Sequence, residues 1–163
     1  MKYADIIYND FTAGDGVSLT FFVQGCPIKC KGCHNPELQS FTRGKEFGGE
    51  TMNSIINGLT ANGVKRNLCI QGGEPLCEEN KFLTFMVIDN VKKALPEIPV
   101  YIWTGYTLEE IAQRNDDRVN RILAMTDYLI DGPYIEEERD VTLKMRGSKN
   151  QRILKLVDLH NKI

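Results

Sequence analysis

Apolar positions along this chain fall into two rhythms that take turns. Compact β-rich runs, Ser18 to Val23, Lys65 to Ile70, Pro99 to Trp103, Asp127 to Ile130 and Arg152 to Val157, read as strands, and residues 2–8 add a first edge strand. Between them the spacing turns helical. Thr51 to Asn62 sets Met52, Ile55, Ile56 and Leu59 on one face, with Thr51 as its cap, and Lys81 to Leu95 carries Leu83, Val87, Val91 and Ala94 in a stripe that ends before Pro96. Thr107 caps a short helix from Leu108 to Gln113, and a further helical stretch covers Asp117 to Met125. Residues 38–50 and 135–150 are polar and read as loops.

Strands and helices in alternation predict an α/β fold with five or six mainly parallel strands. The chain has 163 residues, which suits a single domain over 1–163. A closed eight-fold barrel takes about 250 residues, so the expectation is a partial, open β/α barrel. In such sheets the functional groups gather at the C-terminal ends of the strands. The glycine-rich and chemically unusual segments fall there: Gln24 to Cys33, Gln71 to Pro75, Trp103 to Tyr106 and Asp131 to Tyr134.

Composition narrows the partners. A net charge of −2 gives no reason to expect nucleic-acid binding, and no apolar run reaches the roughly 18–20 residues of a membrane span. Met1 to Asp5 lacks the apolar region of a signal peptide, so the expected address is cytoplasmic. Five cysteines, three of them clustered, do not form a secreted disulfide framework; in a reducing compartment such clusters bind metal.

The cluster is Cys26-Pro27-Ile28-Lys29-Cys30-Lys31-Gly32-Cys33, spaced C-x3-C-x2-C directly after a strand. Thiolates suit iron–sulfur clusters and zinc, and a complete site of either kind usually takes four protein ligands. Here the local sequence supplies three, so a four-iron cubane would keep one iron open to a small molecule. The rival is a zinc-stabilised interaction module held by Cys26, Cys30, Cys33 and His34, or by the same three with Cys77. Zinc sites usually pair their ligands in two separated sets, and adjacent Cys33 and His34 would have to fold back onto one ion, so the spacing favours iron and sulfur. Cys69, within an apolar run, and Cys77 read as small buried residues.

Gly72-Gly73-Glu74-Pro75 offers a close backbone approach and a carboxylate that can accept from an ammonium group, or else an ordinary strand-to-helix turn. Trp103-Thr104-Gly105-Tyr106 offers a hydroxyl and an aromatic face, or a core residue before a cap. Arg146-Gly147-Ser148-Lys149-Asn150-Gln151-Arg152 is a solvated basic loop or a grip for a carboxylate or a partner chain. His160 reads as exposed and idle.

These residues resemble a known family. The three-cysteine motif followed by Gly72-Gly73-Glu74-Pro75 resembles the radical S-adenosylmethionine (SAM) superfamily. Ala13-Gly14-Asp15-Gly16, Phe21 to Cys26, Cys33-His34-Asn35, Trp103 to Tyr106, Asp131-Gly132-Pro133-Tyr134 and Arg146 to Arg152 resemble, in order and interval, the activators of anaerobic ribonucleoside-triphosphate reductase. The turn Gly14-Asp15-Gly16 departs from the Gly-Pro-Gly common at that place, and Gly32 stands where the wider superfamily often has an aromatic. The resemblance implies a [4Fe-4S] cluster on Cys26, Cys30 and Cys33, with SAM on the open iron. It further implies that Gly72, Gly73 and Glu74 meet the methionyl ammonium, and that the backbone of Gly32, Cys33 and His34 lies near the adenine. One electron would split the sulfonium, and the resulting radical would take a hydrogen from a glycine of the large reductase subunit. A flavodoxin- or ferredoxin-type protein would donate the electron. An activase of another glycyl-radical enzyme, such as pyruvate formate-lyase, is the enzymatic alternative.

Overall fold

The computed structural model describes residues 1–156. Its strands are β1 (Lys2–Asp10), β2 (Ser18–Val23), β3 (Lys45–Glu46), β4 (Asn67–Gly72), β5 (Val100–Trp103), β6 (Tyr128–Asp131) and β7 (Arg152–Lys155). The helices are α1 (Gly49–Leu59), α2 (Lys81–Ala94), α3 (Leu108–Gln113) and α4 (Asp117–Ala124). His160 and Val157, the last residue of the expected terminal strand, lie outside the described residues.

All the strands join one seven-stranded sheet in the order β3-β1-β2-β4-β5-β6-β7. The centre is parallel: β2 pairs with β4, β4 with β5, and β5 with β6. Both flanks are antiparallel, β1 on β2 at one side and β7 on β6 at the other. The α/β expectation therefore holds at the centre, while "mainly parallel" is too strong, since half of the pairings run the other way. β1 is not the edge either. The two residues of β3 cover it at Lys2 and Tyr3, inside a segment that reads from sequence as loop.

One face of the sheet carries the main core. Leu19, Phe21 and Val23 of β2, with Leu68 and Ile70 of β4, pack against Met52, Ile55 and Leu59 of α1 and Leu83, Val87, Ile88 and Val91 of α2. Burial of aliphatic side chains from both layers is the driving force, at about 1.5–3 kcal/mol for each fully buried one. Ala94, expected in the α2 stripe, is exposed. α1 starts two residues earlier than its spacing suggests: Gly48 is the cap, and Thr51 Oγ1 accepts the Gly48 N–H from the third helical position. Thr107 does cap α3, in a reciprocal arrangement with Glu110. The other face holds a smaller cluster, Ala13, Cys69, Tyr101 and Ile130, against which Trp103, Tyr128 and Met145 pack.

Candidate functional site

The C-terminal ends of β2, β4, β5 and β6 open onto one cavity of about 700 Å³. Cys26, Cys30 and Cys33 line it together with His34, the Gln71-to-Glu74 turn, Trp103-Thr104-Gly105, Gly132, Tyr134 and the segment from Met145 to Gly147. The four strand-end segments singled out by sequence thus meet in space.

The cysteine loop is held at both ends. Gly25 N–H donates to Leu38 O at 2.7 Å, Cys26 N–H to Gln39 O at 3.1 Å, and Gln24 Nε2 to Glu37 O and Ser40 O. Between the thiols the chain doubles back, with Lys29 and Gly32 at positive φ and Cys33 N–H donating to Cys30 O at 3.2 Å. Such a bend brings three sulfurs in eight residues round to one side. All three thiols are free and half-buried. Burial pushes the Cys26 thiol above its ordinary range, with the Glu74 charge adding to that direction; the Lys29 and Ile28 amides pull against it. A metal group would reverse the balance, since coordination deprotonates a thiol outright.

Three free thiols lining one cavity are a donor set that fits a multi-iron group with three protein ligands. Of the suggested fourth zinc ligands, His34 is on the cavity and Cys77 is enclosed. His34 lies against the Tyr134 ring, 5.0 Å between centroids, and Cys77 is buried with its Sγ–H donating to Glu74 O at 3.2 Å. Cys69 also lies in the core, and burial pushes both Cys69 and Cys77 up to about 12. The reading of these two as structural agrees with their surroundings.

Gly72 and Gly73 are glycines because of their neighbours. A Cβ on Gly72, at φ +114°, would stand 2.5 Å from Val23 O, and one on Gly73 would stand 2.1 Å from Gly25 O. The close contact here is with the backbone that leads into the cysteines. Gly73 N–H donates to Val23 O and Glu74 N–H to Gly25 O, which also accepts from Asn80 Nδ2. The turn is a strap lying across the root of the cysteine loop.

Glu74 borders the cavity but is 1% exposed, and its carboxylate has three donors within the protein. Oε1 accepts from Thr104 Oγ1 at 2.7 Å and Leu76 N–H at 2.9 Å, while Oε2 accepts from Gly105 N–H at 2.7 Å. Burial raises its pKa to about 6 against these donors. Glu74 ties the end of β4 to the end of β5, a role that sequence reading did not assign. Asp10, at the far end of the cavity, is another braced carboxylate. Burial disfavours its charge, but Thr20 and Thr12 donate three hydrogen bonds and leave it below the ordinary range.

The Arg146-to-Arg152 segment is a fastened wall and not a loose surface loop. Gln151 Oε1 accepts from the Gly147 and Ser148 N–H groups, Gln151 Nε2 donates to Gly132 O, and Asn150 Nδ2 to Pro133 O. Trp103 Nε1 donates to Met145 O at 2.7 Å, and the indole, stacked on Tyr101 of the smaller core cluster, also borders the cavity. Arg152 grips Asp131, which is 1% exposed, and also Glu109, joining β6, β7 and α3.

Residues 12–154 match the family described as a 4Fe-4S single cluster domain. The chain is also similar to proteins named anaerobic ribonucleoside-triphosphate reductase-activating protein. That of Haemophilus influenzae is 37% identical over 94% of this chain and 97% of its own length. That of Vibrio cholerae is 36% identical over the same shares. That of phage T4 is 34% identical over 94% of this chain and 93% of its own.

Proposed function

The chain belongs to the 4Fe-4S single cluster domain family and to the anaerobic ribonucleoside-triphosphate reductase-activating proteins, and from that premise we propose that it is a radical SAM enzyme that installs a glycyl radical on the large reductase subunit. In this reading Cys26, Cys30 and Cys33 hold a [4Fe-4S] cluster, and SAM occupies the same cavity. When bound, the reduced cluster would supply the single electron for reductive cleavage of SAM to methionine and a 5′-deoxyadenosyl fragment, which would leave as 5′-deoxyadenosine with a hydrogen atom from a glycine Cα of the partner.

The chain's own residues bind, orient and shield. The strap Gly72-Gly73 holds the cysteine loop at a set distance from β4, and Glu74 fixes the β4 and β5 ends relative to each other. Because Glu74 already has three donors, the strap's backbone, more than this carboxylate, is the part left to meet a methionyl ammonium. Cys33 and His34 line the cavity beside Tyr134, where a flat base can lie, while Gly32 sits against Glu136 and serves the bend of the loop. Trp103 and Met145 give the cavity an apolar side that excludes water. The sheet, parallel at its centre and unclosed at its flanks, suits a partial barrel of the radical SAM type, open enough to admit a glycine-bearing segment. The electron comes, in this proposal, from a flavodoxin- or ferredoxin-type carrier in the cytoplasm.

The observation that carries the reading is the meeting of three free thiols with four strand ends around one cavity. The test is anaerobic electron paramagnetic resonance of the reconstituted, reduced protein. A cluster signal that changes on adding SAM, a glycyl radical signal on adding the reductase, and loss of both in Cys30→Ala are expected. Stoichiometric zinc with neither iron nor SAM cleavage would overturn the proposal.

A further inference from the structure

Arg146 stands apart from the other well-held arginines. Arg152 spends Nε and both terminal nitrogens on carboxylates, and Arg66 spends Nε on Asn9 and Nη1 on the carbonyls of Ala61 and Val64. Arg146 lines the cavity, yet among the described residues it makes a single hydrogen bond, from Nη1 to Gln151 O at 2.7 Å, and no ion pair. Its Nε is buried with no acceptor. Asp140 Oδ1 accepts from the hydroxyl and amide of Thr142, which hold its carboxyl below the ordinary range; the Arg146 charge adds to this, but no hydrogen bond or ion pair joins the two. A guanidinium N–H left unmade inside a protein is costly, and burial keeps water from satisfying it. The loop cannot easily swing away to relieve it, being clasped by Gln151, Asn150 and the Trp103 indole.

Nη2 also has no acceptor among the described residues, and a planar, permanently charged guanidinium on the wall of a cavity suits one chemical class above others: a carboxylate, taken through its terminal nitrogens. The geometry points to Arg146 as the carboxylate-binding group of this cavity. The assignment rests on the function proposed above and deepens it, for the only anionic group of SAM is its methionyl carboxylate. An acidic side chain on the reductase segment that enters the same cavity is the second source of this chemistry.

The two sources separate in one set of measurements. Equilibrium binding of SAM and of decarboxylated SAM is measured on the cluster-loaded, oxidised protein for wild type, Arg146→Gln and Arg146→Lys, together with binding of the reductase large subunit. Removing the fork should weaken SAM by about 10- to 100-fold and leave the decarboxylated compound nearly unaffected, with Arg146→Lys in between. Unchanged SAM affinity with an equally large loss for the reductase supports the same chemistry with the partner as source. Equal weakening of SAM and its decarboxylated form means that Arg146 only holds its loop, and overturns the assignment; so does no change in any arm. Wild-type protein that binds neither small molecule overturns the cofactor reading instead, and the reductase arm then decides this one.

Discussion

Burial divides the five thiols into two populations. Cys26, Cys30 and Cys33 are half-buried around a cavity, whereas Cys69 and Cys77 are enclosed and pushed up to about 12. Alkylation of the metal-free native protein should therefore modify three cysteines and spare two until the chain is unfolded, as mass spectrometry would count. The spacing of the three was legible because chelation is local. The role of Glu74 was not, because Thr104 and Gly105, which take its carboxylate, lie 30 and 31 residues away. Its folded pKa of about 6 exceeds the ordinary 4.5, so the folded state holds this proton more tightly. The stability it contributes is complete below about pH 4.5 and is lost as pH rises through 6, about 2 kcal/mol in all. Glu74→Gln should abolish that slope in unfolding measurements from pH 4 to 7. A slope unchanged in the variant would assign it to another group.

Among elements, the helices were the most legible, because a stripe of aliphatic side chains states both length and buried face. α2 and α3 match their expected spans to within a residue. The two-residue β3 left no periodicity to read, and β4 begins and ends two residues later than its apolar run suggests. The reason is the strap: Gln71 and Gly72 continue the ladder with β2 although neither is apolar. Gly73→Ala, which sets a methyl 2.1 Å from Gly25 O, should cost roughly 2–4 kcal/mol in denaturant unfolding. Gly63→Ala, at φ +72° with open space around it, should cost about 1 kcal/mol from backbone conformation alone. Equal costs would mean that the crowding at the strap is relieved by easy movement.

At the scale of the whole molecule, alternation revealed a sheet with helices against it and the edge where its chemistry collects. It did not reveal strand direction at the flanks, since an antiparallel strand reads like a parallel one when its partner is far away in sequence, as Arg152–Lys155 is from Tyr128–Asp131. Hydrogen exchange should follow this layering. Amides of β2, β4 and β5, paired on both sides and packed under α1 and α2, should exchange slowest, and those of β3 and β7 fastest. Protection of β7 equal to that of β4 would contradict this order.

The strap across Gly25 has one more implication. Its hydrogen bonds to Val23 and Gly25, and those of Gly25 and Cys26 to Leu38 and Gln39, are all made by protein alone. The foundations of the cysteine loop are therefore tied into the sheet by the polypeptide itself, so the positions of its two ends are set by β2, β4 and the Pro36–Gln39 turn.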